Sequence, residues 1–221
     1  MTTSSERAEP DRHCALCPRL VTFRAANQAT YPDYFNGAVP SFGASNARLA
    51  VIGLAPGLHG ANKTGRPFTG DYAGEILYPG LMHADLAHGR FDRRPDDGLK
   101  LVDTLITNAV RCVPPDNKPT GAEITTCRRF LIARLQALPQ LKVILALGRI
   151  AHDSCLKALG QKLSAYRFAH GAVHRLGAVT LVDSYHCSRY NVNTGRLTEA
   201  MFRDVLQTVK AHLHQASTAA P

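Results

Sequence analysis

Four groups of residues in this chain have the types and spacing that chemistry requires. The longest runs from Gly53 to Gly74, GLAPGLHGANKTGRPFTGDYAG, in which six glycines and two prolines punctuate twenty-two residues. Glycine at this density permits positive φ and close approach to a ligand, at an entropic cost that a mere connection need not carry. The stretch also holds His59, Asn62, Lys63, Arg66, Phe68 and Asp71: donors, cations, one aromatic face and one carboxylate. A loop this long inside a compact domain is either functional or disordered, and Phe68 between Pro67 and Thr69 argues for order. Neither GxxxxGK[ST] nor GxGxxG occurs in it, so it is not a nucleotide-phosphate turn.

The second group is cysteine. Cys14 and Cys17 form a C-x2-C beside Pro18, and fourteen residues separate Cys112 from Cys127. Six cysteines in a chain expected to stay in the cytoplasm do not read as disulfides. Four thiolates bind either a tetrahedral zinc or an iron–sulfur cluster. Spacing does not choose between them, although the wide second pair and the adjacent Pro18 and Pro114 lean toward a cluster. Cys155 fits a small buried hydrophobe instead, and Cys187 sits apart in a polar loop.

Asn108 is the third candidate, an amide set between Leu105-Ile106 and Ala109-Val110. Its side chain can present a donor and an acceptor together, which matches the imide N–H and carbonyl edge of a pyrimidine. An asparagine satisfied by local structure is an equally fair reading. The fourth is His186-Cys187-Ser188-Arg189-Tyr190-Asn191. It suits a recognition loop in which His186 stabilises negative charge on a leaving group; the plainer reading is a surface loop with an incidental histidine.

These candidates need elements to position them. Apolar runs at Leu49–Ile52, Asp103–Asn108, Val143–Leu147 and Val179–Val182 predict four strands. Helices are expected within residues 11–30 after the C-x2-C, through Leu20, Val21, Phe23 and Ala26, from Asp71 toward Leu86 with an interruption at Pro79-Gly80, from near Thr120 to Leu138, over 149–159, and from near Thr198 to about His214. Glu123 stands where a capping box with Thr120 would place it. Strands alternating with helices predict an α/β fold, a three-layer α/β/α sandwich around a mainly parallel four-stranded sheet. Ligands in such sheets sit at the carboxyl ends of the strands, where the loop after Ile52, Asn108 and His186 all fall. Residues 1–10 read as a disordered tail and 11–221 as a single domain.

Composition narrows the function classes. Twenty-six lysines and arginines against seventeen acidic residues give a net charge of +9. Such a surplus suits an acidic partner, of which nucleic acid is the commonest large one. No eighteen-residue apolar run offers a membrane span, and the polar start MTTSSERAEPDRH lacks the apolar core of a secretory signal. The expectation is a cytoplasmic monomer.

Taken together, Cys14-x2-Cys17, the GLAPGLHGANKTGRPFTGDYAG loop, ITNAVRCVPP with Cys112 and Cys127, and HCSRYN resemble the iron–sulfur uracil-DNA glycosylases, most closely the family 5 (type B) branch. The segments span most of the chain in that family's order. The resemblance implies a structural [4Fe–4S] cluster on Cys14, Cys17, Cys112 and Cys127, with zinc as the alternative. It implies that Phe68 stacks on a flipped base, that Asn108 reads its edge, and that backbone near Gly53, Ala55 and Gly57 lines the pocket. His186 would stabilise the departing base anion, and the loop through Arg189 and Tyr190 would enter double-stranded DNA and fill the gap. Relatives outside this branch position the water with a polar residue just after the first turn. Here that region offers Leu58 and His59, so the nearest carboxylate, Asp71, is the water-positioning candidate; capping the helix that follows is its other reading. Cys187 stands where the family pattern H-P-S-x-x-N has proline. The implied activity is hydrolysis of the N-glycosidic bond of uracil, and of other deaminated bases such as hypoxanthine, in double- or single-stranded DNA. The rival is a non-catalytic iron–sulfur DNA-binding or damage-sensing module.

Overall fold

The computed structural model describes residues 8–215. Among the described residues seven α-helices follow in chain order: α1 (Pro18–Thr30), α2 (Ala61–Thr64), α3 (Tyr72–His83), α4 (Gly121–Gln136), α5 (Arg149–Ala158), α6 (Arg189–Asn193) and α7 (Glu199–Gln215). The strands are β1 (Phe42–Gly43), β2 (Leu49–Gly53), β3 (Ala87–His88), β4 (Lys100–Leu101), β5 (Thr104–Asn108), β6 (Val143–Leu147), β7 (Val173–Leu176) and β8 (Val179–Ser184). β3 and β4 form a separate antiparallel pair.

The main sheet has six strands among the described residues, in the order β1-β5-β2-β6-β8-β7. The four expected strands are its parallel centre. Two short antiparallel edges, β1 on β5 and β7 on β8, extend it beyond the expected four. β2, β5 and β6 are buried at every position, because helices cover both faces and water reaches neither. On one face α3 and α7 pack through Leu77, Leu81, Phe202, Leu206 and Val209 against Leu49, Val51, Leu145 and Val182. On the other, α4 and α5 bring Leu131, Leu135, Cys155 and Leu156 against Ile52, Ile144 and Leu181.

α4 begins as its sequence dictates: Thr120 accepts from the Glu123 amide, and Glu123 returns the bond to the Thr120 N–H. α3 departs from expectation, since the helix passes through Pro79 without a break. Pro79 lies on the exposed side, where solvent can take up the carbonyl that proline leaves without an amide partner. A Cβ on Gly80 would sit 3.0 Å from Leu206 and Phe202, so bare backbone there lets α7 close in.

At the end of the expected tail, Glu9 is salt-bridged to Arg111 (2.7 Å) and Arg134. The rest of that tail, residues 1–7, lies outside the described residues.

Candidate active site

β2 and β5 run in parallel with Gly53 opposite Asn108 at their carboxyl ends. Beyond them the chain turns through Ala55-Pro56-Gly57 into the long loop. Ala55, Pro56, Ala61, Phe68, Asp71, Ala73, Asn108 and His186 line one small pocket there. Five of the residues singled out in the sequence therefore meet: Ala55, Phe68, Asp71, Asn108 and His186.

Phe68 is held as a shelf. It adopts φ +53, a left-handed conformation that a bulky residue keeps only when its surroundings over-determine it. The surroundings do so. Tyr78 donates to the Pro67 carbonyl at 2.6 Å, and Arg66 bonds Thr69 Oγ1 at 2.7 Å and Asp97 through both terminal nitrogens at 2.8 Å. Arg66 and Asp97 are both buried. Burial alone would raise the Asp97 pKa, but the Arg66 bonds outweigh it and hold the carboxyl far below its usual range. Arg66 is thus a structural cation, and Asn62, fully buried and bonded to Asn36, is a structural amide. The Phe68 ring lies 6.0 Å from the His186 ring at 31°.

Asp71 is the N-cap of α3, its Oδ1 accepting from the Gly74 amide at 3.3 Å. Its other oxygen faces the glycine turn, since a Cβ on Gly60 would meet Oδ2 at 2.3 Å and one on Gly57 at 3.3 Å. Burial raises its pKa, against the lowering effect of the Gly74 and Ala73 amides. The two readings of Asp71, cap and pocket carboxylate, describe the two oxygens of one group.

His186 follows β8 and lines the pocket opposite Asp71. Burial alone lowers its pKa to about 4, so at neutral pH the ring is an uncharged donor and acceptor. Its carbonyl takes a 2.8 Å bond from Asn191 Nδ2, and Ser188 caps α6 by accepting from the Asn191 amide. Cys187 is buried in the core beneath. α6 presents Tyr190, 70% exposed, and Arg189, whose guanidinium lies over Tyr72 at 5.2 Å. Neither lines the pocket.

The four cysteines also meet. Cys14, Cys17, Cys112 and Cys127 line one hollow together with Leu16, Leu20, Ala38, Val110 and Phe130. None of the six cysteines is in a disulfide. The Arg111 amide donates to Cys127 Sγ at 3.4 Å and Arg24 to Cys112 Sγ at 3.6 Å. Donors aimed at sulfur favour thiolates, whereas burial pushes Cys112 up to about 12 and Cys127 to about 11. The hollow therefore suits four thiolates whose charge a bound metal group would compensate. Cys155 and Cys187 are wholly buried elsewhere.

A sequence profile of the Uracil DNA glycosylase superfamily matches residues 40–210. The chain belongs to the uracil DNA glycosylase superfamily. It is 46% identical to the type-5 uracil-DNA glycosylase of Thermus thermophilus over 203 residues, covering 89% of this chain and 92% of the relative. Identity is 39% to the type-5 uracil-DNA glycosylase of Pyrobaculum aerophilum, across 90% of this chain and 88% of the relative. A type-4 uracil-DNA glycosylase of the same organism is 28% identical over 159 residues, 72% of each chain. Among the described residues no helix is long and apolar enough to cross a membrane.

Sequence reasoning missed the small walls of this superfamily pocket, Ala61 and Ala73, and the Asp97 anchor of the Phe68 shelf. Ala61 and Ala73 carry no functional group, so nothing in the sequence could signal them. Asp97 was legible only as one charge among many in HGRFDRRPDDG.

Proposed function

We infer that this protein is a monofunctional glycosylase that hydrolyses the N-glycosidic bond of uracil in DNA and leaves an abasic site. The observation that carries this is the pocket itself, where an aromatic shelf, an amide, a carboxylate and an uncharged imidazole converge at the carboxyl end of a parallel sheet. Such a pocket cannot reach a stacked base, so the nucleotide must leave the helix, at a cost of a few kcal/mol. Phe68 offers the flipped base a face. Asn108 offers its edge a donor and an acceptor, which matches the N3–H and O4 of uracil and mismatches cytosine.

Cleavage breaks the bond between N1 and C1′, with the electron pair departing on the base. His186, uncharged, donates a hydrogen bond to the base oxygen on which that charge accumulates. The sugar left behind is oxocarbenium-like, and Asp71, on the same pocket, orients a water onto C1′ and accepts its proton. General-base positioning of this kind contributes typically 10²–10⁴-fold. The exposed Tyr190 and Arg189 support a duplex substrate, Tyr190 filling the space that the flipped nucleotide leaves. The net charge of +9 supplies affinity for phosphate.

Cys14, Cys17, Cys112 and Cys127 would hold a [4Fe–4S] cluster in the apolar hollow. When bound, the cluster ties the segment before α1 to β5 and α4, and no step of the hydrolysis passes through it. Amide and guanidinium donors directed at the sulfurs support this assignment over isolated buried thiols.

The decisive experiment incubates the protein with duplexes carrying uracil opposite guanine, hypoxanthine opposite thymine, or neither, followed by alkaline cleavage. Breaks at the modified base alone establish the activity, and their ratio sets its breadth. Binding without abasic sites transfers the chain to the class of DNA-binding modules.

A further inference from the structure

Beneath the His186 loop, on the side away from the pocket, three titratable groups from three elements meet out of water. His152 of α5 is 1% exposed and Asp183 of β8 is fully buried. His152 Nδ1 lies 2.8 Å from Asp183 Oδ1, and His174 Nε2 of β7 lies 3.0 Å from Asp183 Oδ2. His152 Nε2 lies 3.1 Å from the Tyr166 carbonyl.

The proton count follows from the partners. A carbonyl oxygen only accepts, so Nε2 of His152 must carry hydrogen. The Nδ1 lone pair of a neutral ring would then face a carboxylate oxygen at 2.8 Å, lone pair against lone pair. A second proton removes the conflict and makes the ring an imidazolium paired with Asp183. Burial opposes a charged ring, but the Asp183 bond and charge outweigh it. Asp153 on the same helix adds negative charge, His174 faces Asp183 from β7, and the 165–168 segment contributes the Tyr166 carbonyl and the edge of the Phe168 ring at 5.6 Å. α4 and β6 present apolar side chains to this side of α5, Leu131, Leu135 and Ile144 among them.

The trio is wired to His186. The His152 amide donates to the Gly148 carbonyl in the first turn of α5, and the Gly148 amide donates to Ser184 at 2.8 Å. A Cβ on Gly148 would lie 3.4 Å from the His186 Cβ. Asp183 stands in β8 three residues before His186, which follows the strand, its own amide and carbonyl bonded at 2.9 Å to Ala172 and Gly171. The start of α5 and the end of β8 therefore form the seat of His186, and the trio fixes one against the other.

We propose that His152 is a positioning residue for His186, acting as a buried imidazolium that clamps α5 to β8 through Asp183 and His174. The proposal rests on the glycosylase reading above, in which His186 faces the departing base. Breaking one partner of a buried ion pair leaves the other charge uncompensated, which is far more costly than removing both.

The test uses the cluster-containing enzyme. Nitrogen-15 NMR of the histidine rings should find both nitrogens of His152 protonated at pH 7, a result independent of any activity. An unprotonated Nδ1, or a stoichiometric divalent metal on the trio in the purified protein, overturns the proposal. Asp183→Asn should lower the single-turnover excision rate about tenfold with DNA affinity unchanged, and should shift the titration of His186. Replacing both partners, His152→Phe with Asp183→Ala, should recover the melting temperature without recovering the rate. Recovery of both, or an undisturbed His186 titration in Asp183→Asn, reduces the trio to packing and also overturns it. Wild-type enzyme inactive on uracil would sink the glycosylase reading while leaving the ring protonation to be read on its own.

Discussion

Gly53 and Asn108 end two neighbouring parallel strands in register, and a methyl group on Gly53 would lie 2.3 Å from Asn108 Oδ1 and 2.5 Å from the Phe68 ring. The amide and the aromatic shelf thus close over bare backbone. Gly53→Ala must displace one of them. Overpacking of this kind costs about 1–3 kcal/mol of stability, and a misplacement near 1 Å costs about 10²-fold in rate. Thermal melting and single-turnover excision on one preparation check both. A fully active variant would mean that the base does not sit at this junction.

Asn108→Asp keeps shape and removes the donor. The carboxylate then faces the uracil O4 without a proton, and an unmet buried polar contact is worth about 1–3 kcal/mol. Selectivity for uracil over cytosine should fall by roughly 10- to 100-fold. Competition between the two bases in one duplex pool measures it directly, and an unaltered ratio would remove Asn108 from base reading.

Asp71 carries a raised pKa through burial, so a rate that needs its carboxylate should climb with pH through a value above the ordinary aspartate range. Asp71→Asn should abolish that limb and lower the rate about 10²–10⁴-fold. Stability responds in the opposite sense. A raised folded pKa contributes stability below the unfolded value that is lost as pH rises through the folded one. Asparagine caps as well as aspartate, so Asp71→Asn should melt no lower than wild type at neutral pH, whereas Asp71→Ala loses about 1 kcal/mol of cap. An acid limb that survives Asp71→Asn would leave Asp71 as a cap alone.

His186 titrates near 4 in the folded protein against 6.5 ordinarily. Between those values the unfolded chain takes up a proton that the folded chain refuses, so stability falls as pH drops through the window, by about 3 kcal/mol at most. His186→Asn should flatten this part of the stability profile and slow excision. Denaturant titrations from pH 7 to pH 4 on both proteins provide the comparison. A wild-type rate limb near 6.5 that disappears in the variant would show an ordinary, solvent-open histidine.

Cys112→Ser should lose bound iron and sulfide together and drop Tm by roughly 10 °C, on the order of 3–4 kcal/mol at about 3 °C per kcal/mol for a chain of this size. Cys155→Ala, buried between α5 and the sheet and apart from the four, should keep both. Iron and acid-labile sulfide assays with melting curves decide. Zinc without sulfide in wild type would replace the cluster with a mononuclear site.

The parallel centre of the sheet was legible because Val143–Leu147 and its neighbours are continuous apolar runs, which only two-sided burial explains. α4 was legible from its Thr120–Glu123 box. The edges were not. β1 is two residues long, and β7 alternates exposed and half-buried positions without a strong apolar face; both exist because a neighbour offers its hydrogen bonds. Within the long loop, residue type misled wherever the partner was remote in sequence. Arg66 reads as a ligand cation until Asp97, thirty-one positions away, takes it. Asn108 stood out as an amide closing an apolar run, whereas the roles expected of Phe68, Asp71 and His186 came through the family resemblance. Their convergence, by contrast, is a property of strand order.

The two antiparallel edges carry a consequence for how this protein lives on its polymer. Proteins gathered along a polyanion meet at high local density, where a long open strand would template pairing between molecules. One rim here is a strand of two residues, and the other is a ribbon of four that holds Arg175 outward. Neither offers a neighbour enough backbone to zip onto, so edge-to-edge strand pairing is closed to molecules that meet on the same stretch of DNA.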